Sequence, residues 1–159
     1  MPEASPVSRA LTAKGIPHRE FQHPGSIYSL DQAAKERGQT PDQIIRSIVF
    51  RLGQGDFVLV LVAGPGQISW PELRAFLKQS RLTMANDDEV IEVTGYPPGA
   101  VSPFGLRSPI HILADNGIFT PEEISIGSGI RGVTIIMKTS DLRMALGGVE
   151  TGNFITRQT

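Results

Sequence analysis

Short helices are predicted where apolar residues at helical spacing lie between a capping residue and a glycine. Residues 5–15 show this pattern, because Ser5 and Pro6 can begin a helix and Gly15 can end it. The same reasoning predicts a helix that starts at Thr40, just before an apolar segment. Further helices that begin at a capping residue are predicted over residues 29–38, 69–80, 86–95 and 140–148.

Apolar runs between these helices predict strands. Residues 46–64 contain two such runs around the turn GQGD, which predicts a hairpin. The run from Val58 to Val62 is apolar throughout, so this strand is expected to be buried on both faces. Other strands are expected over residues 16–23 and 110–115, and two more over residues 123–139. Hairpins mixed with helices predict an α+β fold with a mixed or largely antiparallel sheet.

Residues 93–106, VTGYPPGAVSPFGL, show neither the helical spacing of apolar residues nor the pattern of a strand. They contain three glycines and three prolines, a density that marks a built loop. Ordering such a loop costs about 1–2 kcal/mol per residue in backbone entropy. The loop is therefore either a stiff connection that packs on the core or a segment that is prearranged for a ligand.

Composition narrows the classes of function. The chain has 159 residues, 40% of them hydrophobic, and is expected to form a single domain over residues 1–159. The net charge is −1, so the chain lacks the excess of basic residues found in proteins that coat duplex nucleic acid. A local basic patch could still hold one end of a nucleic acid. No cysteine is present, and no apolar run reaches the ~20 residues of a membrane span. We expect a soluble, cytoplasmic protein without a membrane partner.

Several common catalytic patterns are missing. His18, His23 and His111 do not have the spacing of a metal site such as HExxH, and neither GxSxG nor a P-loop occurs. The acidic residues 87–89 follow Asn86, where negative charge favours the start of a helix over a magnesium site. The residues therefore indicate no metal.

Two features allow both a structural and a functional interpretation. The segment GSGIRG, residues 127–132, could present backbone N–H groups to an anion or a carbonyl, or could simply join two strands tightly. Arg46 lies among apolar neighbours. In such a setting an arginine either extends its charged end to water or is held in place for a functional role.

Three segments, TPDQIIRSIVFR, EVTGYPPGAVSPFGL and IGSGIRGVTIIMKTSDL, occur in the order and spacing of the YbaK/ProX-type aminoacyl-tRNA deacylases. The resemblance runs from about Val7 to Leu146, and this family is similar to the editing domain inserted in bacterial prolyl-tRNA synthetases. Its most specific motif is a Gly-x-x-x-Pro loop. In this chain the motif is Gly99-Ala100-Val101-Ser102-Pro103.

The resemblance implies a mixed, partly barrel-like β-sheet surrounded by helices. It also implies a freestanding hydrolase that cleaves the ester of mischarged tRNA, with tRNA for proline carrying Ala or Cys as the expected substrate. The partner would be the acceptor end of an aminoacyl-tRNA, and a role for prolyl-tRNA synthetase is left open. An aminoacyl ester is already activated, so no metal or cofactor is expected.

The resemblance further implies a pocket in which backbone N–H groups position the ester and stabilise its oxyanion. The Gly99–Pro103 loop would clamp the substrate, opposite Arg46 and the turn at 127–129. Ser102 and His23 are additional candidates that could line the pocket or cap a turn. The residues expected at the site are Arg46, Gly99, Ala100, Val101, Ser102, Pro103, Gly127, Ser128, Gly129 and His23.

Arg46 departs from the family, which has a lysine at this position. Arginine keeps the positive charge, but it does not give up a proton at neutral pH and its planar fork has a different reach. If the position supplies only a cation, Arg46 can serve as a catalytic residue. If it must supply a neutral amine or a compact ammonium, the chain is a catalytically impaired binding module. Such a module would recognise an aminoacyl-adenosine-like ligand, a tRNA 3′ end or a synthetase.

Overall fold

The computed structural model describes residues 4–53 and 55–156, and this part of the chain forms five α-helices and eight strands. The helices are α1 (Pro6–Ala13), α2 (Leu30–Arg37), α3 (Trp70–Leu77), α4 (Asp87–Thr94) and α5 (Thr139–Leu146). The strands are β1 (Arg19–Gln22), β2 (Ile45–Leu52), β3 (Phe57–Ala63), β4 (Leu82–Met84), β5 (His111–Asp115), β6 (Glu123–Gly127), β7 (Val133–Lys138) and β8 (Glu150–Gly152).

Four of the helices begin at the expected capping residues. The side chains of Ser5, Ser29 and Ser69 each accept a backbone N–H from the first turn of their helix. Asn86 and Glu89 form a reciprocal capping box, which confirms that the acidic run 87–89 is a helix start. The fifth helix, α5, begins at Thr139 without a side-chain cap, one residue earlier than predicted.

The helix predicted from Thr40 is wrong. Only a 3-10 turn forms, over Pro41–Gln43, and Ile44 is already extended. Two adjacent β-branched residues, Ile44 and Ile45, follow the turn, and the chain enters β2 at Ile45. The side chain of Gln43 secures the turn, because its oxygen accepts the Thr40 N–H and its nitrogen donates to the Glu123 carbonyl.

Two sheets make up the fold. The larger has the strand order β4-β2-β3-β5-β8, in which β2 and β3 form the expected antiparallel hairpin and β3 pairs with β5 in parallel. The smaller sheet is antiparallel, in the order β1-β7-β6. An isolated bridge between Ile44 and Ser125 joins β6 to the residue just before β2. The α+β fold with a mixed sheet is confirmed, and its barrel is partial because the two sheets are not closed into one.

Strand β3 lies in the middle of the larger sheet. Leu59 and Leu61 pack in the cluster shared with the smaller sheet, whereas Val58, Val60 and Val62 pack toward α3. All five side chains are fully buried, which explains the uninterrupted apolar run. None of the described helices has the length and apolar character needed to cross a membrane.

Candidate active site

A cavity of about 830 Å³ opens where the start of β2 approaches the last residues of β6 and the first residues of β7. Its volume is within the range of sites that hold small molecules. The walls come from residues 25–30 with α2, the first residues of β2, and the turn between β6 and β7. Five of the residues predicted from sequence line it, namely Arg46, Gly99, Val101, Gly127 and His23.

The loop at 99–103 docks directly on the turn that follows β6. The Gly129 N–H donates to the Ala100 carbonyl at 2.9 Å. A Cβ atom on Gly127 would lie 2.2 Å from the Val101 carbonyl oxygen, so only glycine allows the two backbones to approach this closely. The cavity wall formed by Gly99 and Val101 therefore depends on a glycine from another part of the chain.

Gly99 is the exposed point of this loop. Its φ of +89° favours glycine, and an added Cβ would meet no atom within 4 Å. The neighbouring Ala100, Ser102 and Pro103 are buried beneath it and do not line the cavity. The Ser102 hydroxyl accepts the Phe104 N–H at 3.2 Å, an arrangement that shapes the turn.

Tyr96 fastens the far end of the loop. Its hydroxyl lies 2.8 Å from the carbonyl oxygens of both Phe104 and Gly105, to which it donates. Burial raises the pKa of Tyr96, so the phenol keeps the proton that it donates. The Phe104 side chain is buried in the main core cluster.

Ser128 supports the turn from inside. Its hydroxyl donates to the carbonyls of Ile130 and Val133 and accepts the Ile130 N–H. The residue is fully buried, and neither Ser128 nor Gly129 lines the cavity. Within this predicted glycine segment, the cavity wall is formed by Gly127, Arg131 and Gly132.

Arg46 is held by backbone carbonyls. Its Nε donates to the Gly64 carbonyl at 2.8 Å and its Nη2 donates to the Gly66 carbonyl. Burial lowers the pKa of the guanidinium, which nevertheless stays charged at neutral pH. Two directed N–H groups on a planar fork match two carbonyls two residues apart, a geometry that arginine suits better than lysine.

The cavity also contains Arg37, which sequence reasoning missed. Its Nε donates to His23 Nε2 at 2.9 Å and its Nη1 donates to the Ser125 hydroxyl at 2.9 Å. Burial lowers the pKa of Arg37 to about 10. No local sequence signal pointed to Arg37, because its contact with Ser125 spans 88 residues of sequence.

His23 holds neighbouring side chains in place. Because Arg37 Nε is always a donor, His23 Nε2 accepts and the ring proton lies on Nδ1, which donates to Glu36 at 2.6 Å. This hydrogen bond is the largest of the effects that lower the pKa of Glu36. Both ring nitrogens are occupied and the side chain is fully buried, so His23 lines the cavity without a nitrogen free for proton transfer.

One polar side chain at the cavity has no partner. Ser47 Oγ is buried and forms no hydrogen bond within residues 4–53 and 55–156. Ser47 lines the cavity, and its hydroxyl is a buried polar group there that no protein group satisfies. The same part of the chain contains no group of three or more His, Asp and Glu residues that could hold a metal ion.

Comparison with known proteins matches residues 24–145 to the model of the aminoacyl-tRNA editing domain. A solved protein proposed to be a trans-editing enzyme for prolyl-tRNA synthetase superposes with a TM-score of 0.86 at 25% identity and covers 96% of both chains. A second solved structure, 20% identical with a TM-score of 0.85, shares the fold.

Curated relatives are proline–tRNA ligases of much greater length. The one from Trichlorobacter lovleyi is 30% identical over 100 residues, which are 63% of this chain and 17% of the ligase. The one from Thermosipho melanesiensis is 30% identical over 109 residues, which are 69% of this chain and 19% of the ligase. The chain therefore matches less than a fifth of these relatives.

Gly127→Ala tests the docking of the loop. The new methyl group would collide with the Val101 carbonyl, so we expect a loss of about 1–3 kcal/mol in unfolding free energy and faster hydrogen exchange at the Gly129 N–H. Gly148→Ala is the control, because a Cβ there meets nothing within 4 Å. Equal stability and equal exchange in the two variants would show that the backbones do not dock as described.

Proposed function

The chain belongs to the aminoacyl-tRNA editing domain family, and we propose that it is a freestanding deacylase that hydrolyses the ester of a mischarged aminoacyl-tRNA. The observation that carries the proposal is the cavity edged by the docked loop, with Gly99 facing open space. We further propose that residues 1–159 act as one domain.

In the proposed reaction, the loop holds the terminal ester. Water adds to the ester carbonyl carbon, and the carbonyl oxygen takes the negative charge. The bond from that carbon to the ribose oxygen then breaks, and the proton lost by the water goes to the ribose. Free amino acid and uncharged tRNA leave. Backbone N–H groups near Gly99 position the ester without rearrangement, because the loop is already ordered.

We propose tRNA for proline carrying Ala or Cys as the substrate. Support comes from the solved relative proposed to trans-edit for prolyl-tRNA synthetase and from the relatives that are proline–tRNA ligases. The partner is then the acceptor end of that tRNA. Arg131 is exposed at the cavity beside the loop, and its Nε donates to the Pro98 carbonyl, so it is placed to meet a phosphate.

A second candidate function is a binding module with impaired catalysis. It is favoured by the position of the Arg46 guanidinium, which donates to the carbonyls of Gly64 and Gly66 instead of a ligand. Such a module would hold an aminoacyl-adenosine-like ligand or a tRNA 3′ end without cleaving it. Under the main proposal, Arg46 contributes its charge and secures the cavity wall.

A panel of aminoacylated tRNA-Pro tests the main proposal. We expect free amino acid to be released from Ala-tRNA-Pro or Cys-tRNA-Pro at least tenfold faster than from Pro-tRNA-Pro, because the loop and the cavity select by size. Release is measured as loss of acid-precipitable label. No release above the rate without protein, across a broad panel at high protein concentration, would falsify the deacylase assignment.

The matched variants Gly99→Ala and Gly15→Ala separate the site from the fold. Both glycines have positive φ and open space around an added Cβ, so each substitution costs about 1–3 kcal/mol in backbone strain. Only Gly99 faces the cavity. We expect Gly99→Ala to lower kcat/KM by tenfold or more, whereas Gly15→Ala leaves it within twofold.

Arg46→Lys distinguishes the two candidate functions. A lysine cannot reproduce the planar fork that holds Gly64 and Gly66, so we expect kcat/KM on the panel substrate to fall about three- to tenfold. The measurement is steady-state deacylation beside the wild-type chain. A tenfold rise in activity would instead favour the binding module, with the natural arginine as the cause of its impairment.

A further inference from the structure

The cavity contains a cation, Arg37, that no carboxylate contacts directly. Arg37 is half-buried, and no acidic side chain lies within 4 Å of its guanidinium in the described part of the chain. Its sequence neighbour Glu36 is bonded to His23 and to Gln32. Removing a charge from water is costly when its contacts are neutral groups. A charged side chain in such surroundings that also lines a cavity is a candidate functional residue.

The contacts of Arg37 fix its orientation and leave donors unused. Nε is bonded to His23 and one Nη1 hydrogen is bonded to Ser125. A guanidinium has five N–H donors. Among residues 4–53 and 55–156 no partner accepts from Nη2, so a side chain that lines the cavity keeps unused donors.

Three arginines line the cavity, and their surroundings differ. Arg46 is bonded to two carbonyls of its own chain, and Arg131 is exposed to solvent. Arg37 alone of the three is both partly removed from water and held by neutral side chains. A desolvated, fixed cation stabilises charge that develops during a reaction more strongly than an exposed one does.

We infer that Arg37 is a catalytic residue that stabilises the negative charge on the ester carbonyl oxygen when water adds to it. This inference rests on the proposed deacylase function. His23 is its positioning residue, because the neutral ring accepts from Nε and is itself held by Glu36. The charge that acts on the ester is thereby supplied from α2, in addition to the charge of Arg46 in the cavity wall.

The test compares Arg37→Met with Arg37→Lys and with Lys35→Met, which removes an exposed charge from the same helix. Each protein is assayed for kcat and KM on the best mischarged tRNA of the panel. Binding is measured separately with 3′-alanylamino-3′-deoxyadenosine, whose amide resists hydrolysis.

Loss of one oxyanion donor commonly lowers kcat by about 10²–10³-fold, and we expect a loss of that size in Arg37→Met. The amide analogue should bind within threefold of wild type, because its carbonyl carries no full charge. Arg37→Lys should recover part of the lost kcat, and Lys35→Met should stay within twofold of wild type. If Arg37→Met does not fold, Arg37→Gln replaces it under the same criteria.

Two results would overturn the inference. One is a kcat within threefold of wild type in Arg37→Met. The other is a loss confined to KM and to analogue binding, which would assign Arg37 to a ground-state contact such as a phosphate. Both differ from failure of the proposed function, in which the wild-type chain itself releases no amino acid.

His23→Phe tests the positioning role, since phenylalanine can keep the edge-to-face contact with Phe21 while it removes the acceptor for Arg37. We expect kcat to fall about tenfold and the ¹⁵N resonance of Arg37 Nε to shift. His23→Gln, which can accept the same hydrogen bond, should restore part of both. Unchanged kcat and an unchanged resonance in His23→Phe would show that His23 does not position Arg37.

Discussion

The cavity depends on one contact between two backbones, where the loop at 99–103 lies against Gly127. A Cβ at this point would be 2.2 Å from the Val101 carbonyl oxygen. The hydrogen bond from Gly129 to Ala100 sets the register of the two segments, and the Tyr96 hydroxyl closes the far end of the loop. Because these contacts form when the protein folds, the entropy of the loop is lost before a substrate arrives, and the site needs little reorganisation.

The charges of the cavity follow from the elements that hold them. The β2 arginine, Arg46, joins its strand to the segment after β3, and Arg131 extends from the glycine turn into solvent. Arg37, from the last turn of α2, is fixed between His23 and Ser125. Under the proposed function, Arg46 supports the cavity wall, Arg131 meets the nucleic acid and Arg37 acts on the ester. Because Arg37 supplies the charge at the ester in this proposal, the proposed reaction does not require a lysine at position 46.

Local features of the sequence predicted most of the fold, because caps, glycines and apolar runs act over a few residues. The helix expected at Thr40 failed because β-branched residues continue as a strand, and the short edge strands β4 and β8 carry no alternating pattern. The loop motif located one wall of the cavity. For Ser102 the sequence left open a pocket role and a turn role, and the hydroxyls of Ser102 and Ser128 both bond within their own turns. Arg37 was missed because Ser125, one of its partners, is distant in sequence.

The proposed roles of the loop and of Arg37 are tested most directly by a crystal structure of the chain with 3′-alanylamino-3′-deoxyadenosine bound. We expect the amide carbonyl to lie within hydrogen-bond distance of a backbone N–H between Gly99 and Val101, with Arg37 Nη2 directed toward the same oxygen. We also expect the loop to keep its position on Gly127. An analogue bound outside the cavity, or one whose carbonyl faces away from both the loop and Arg37, would contradict the proposed roles.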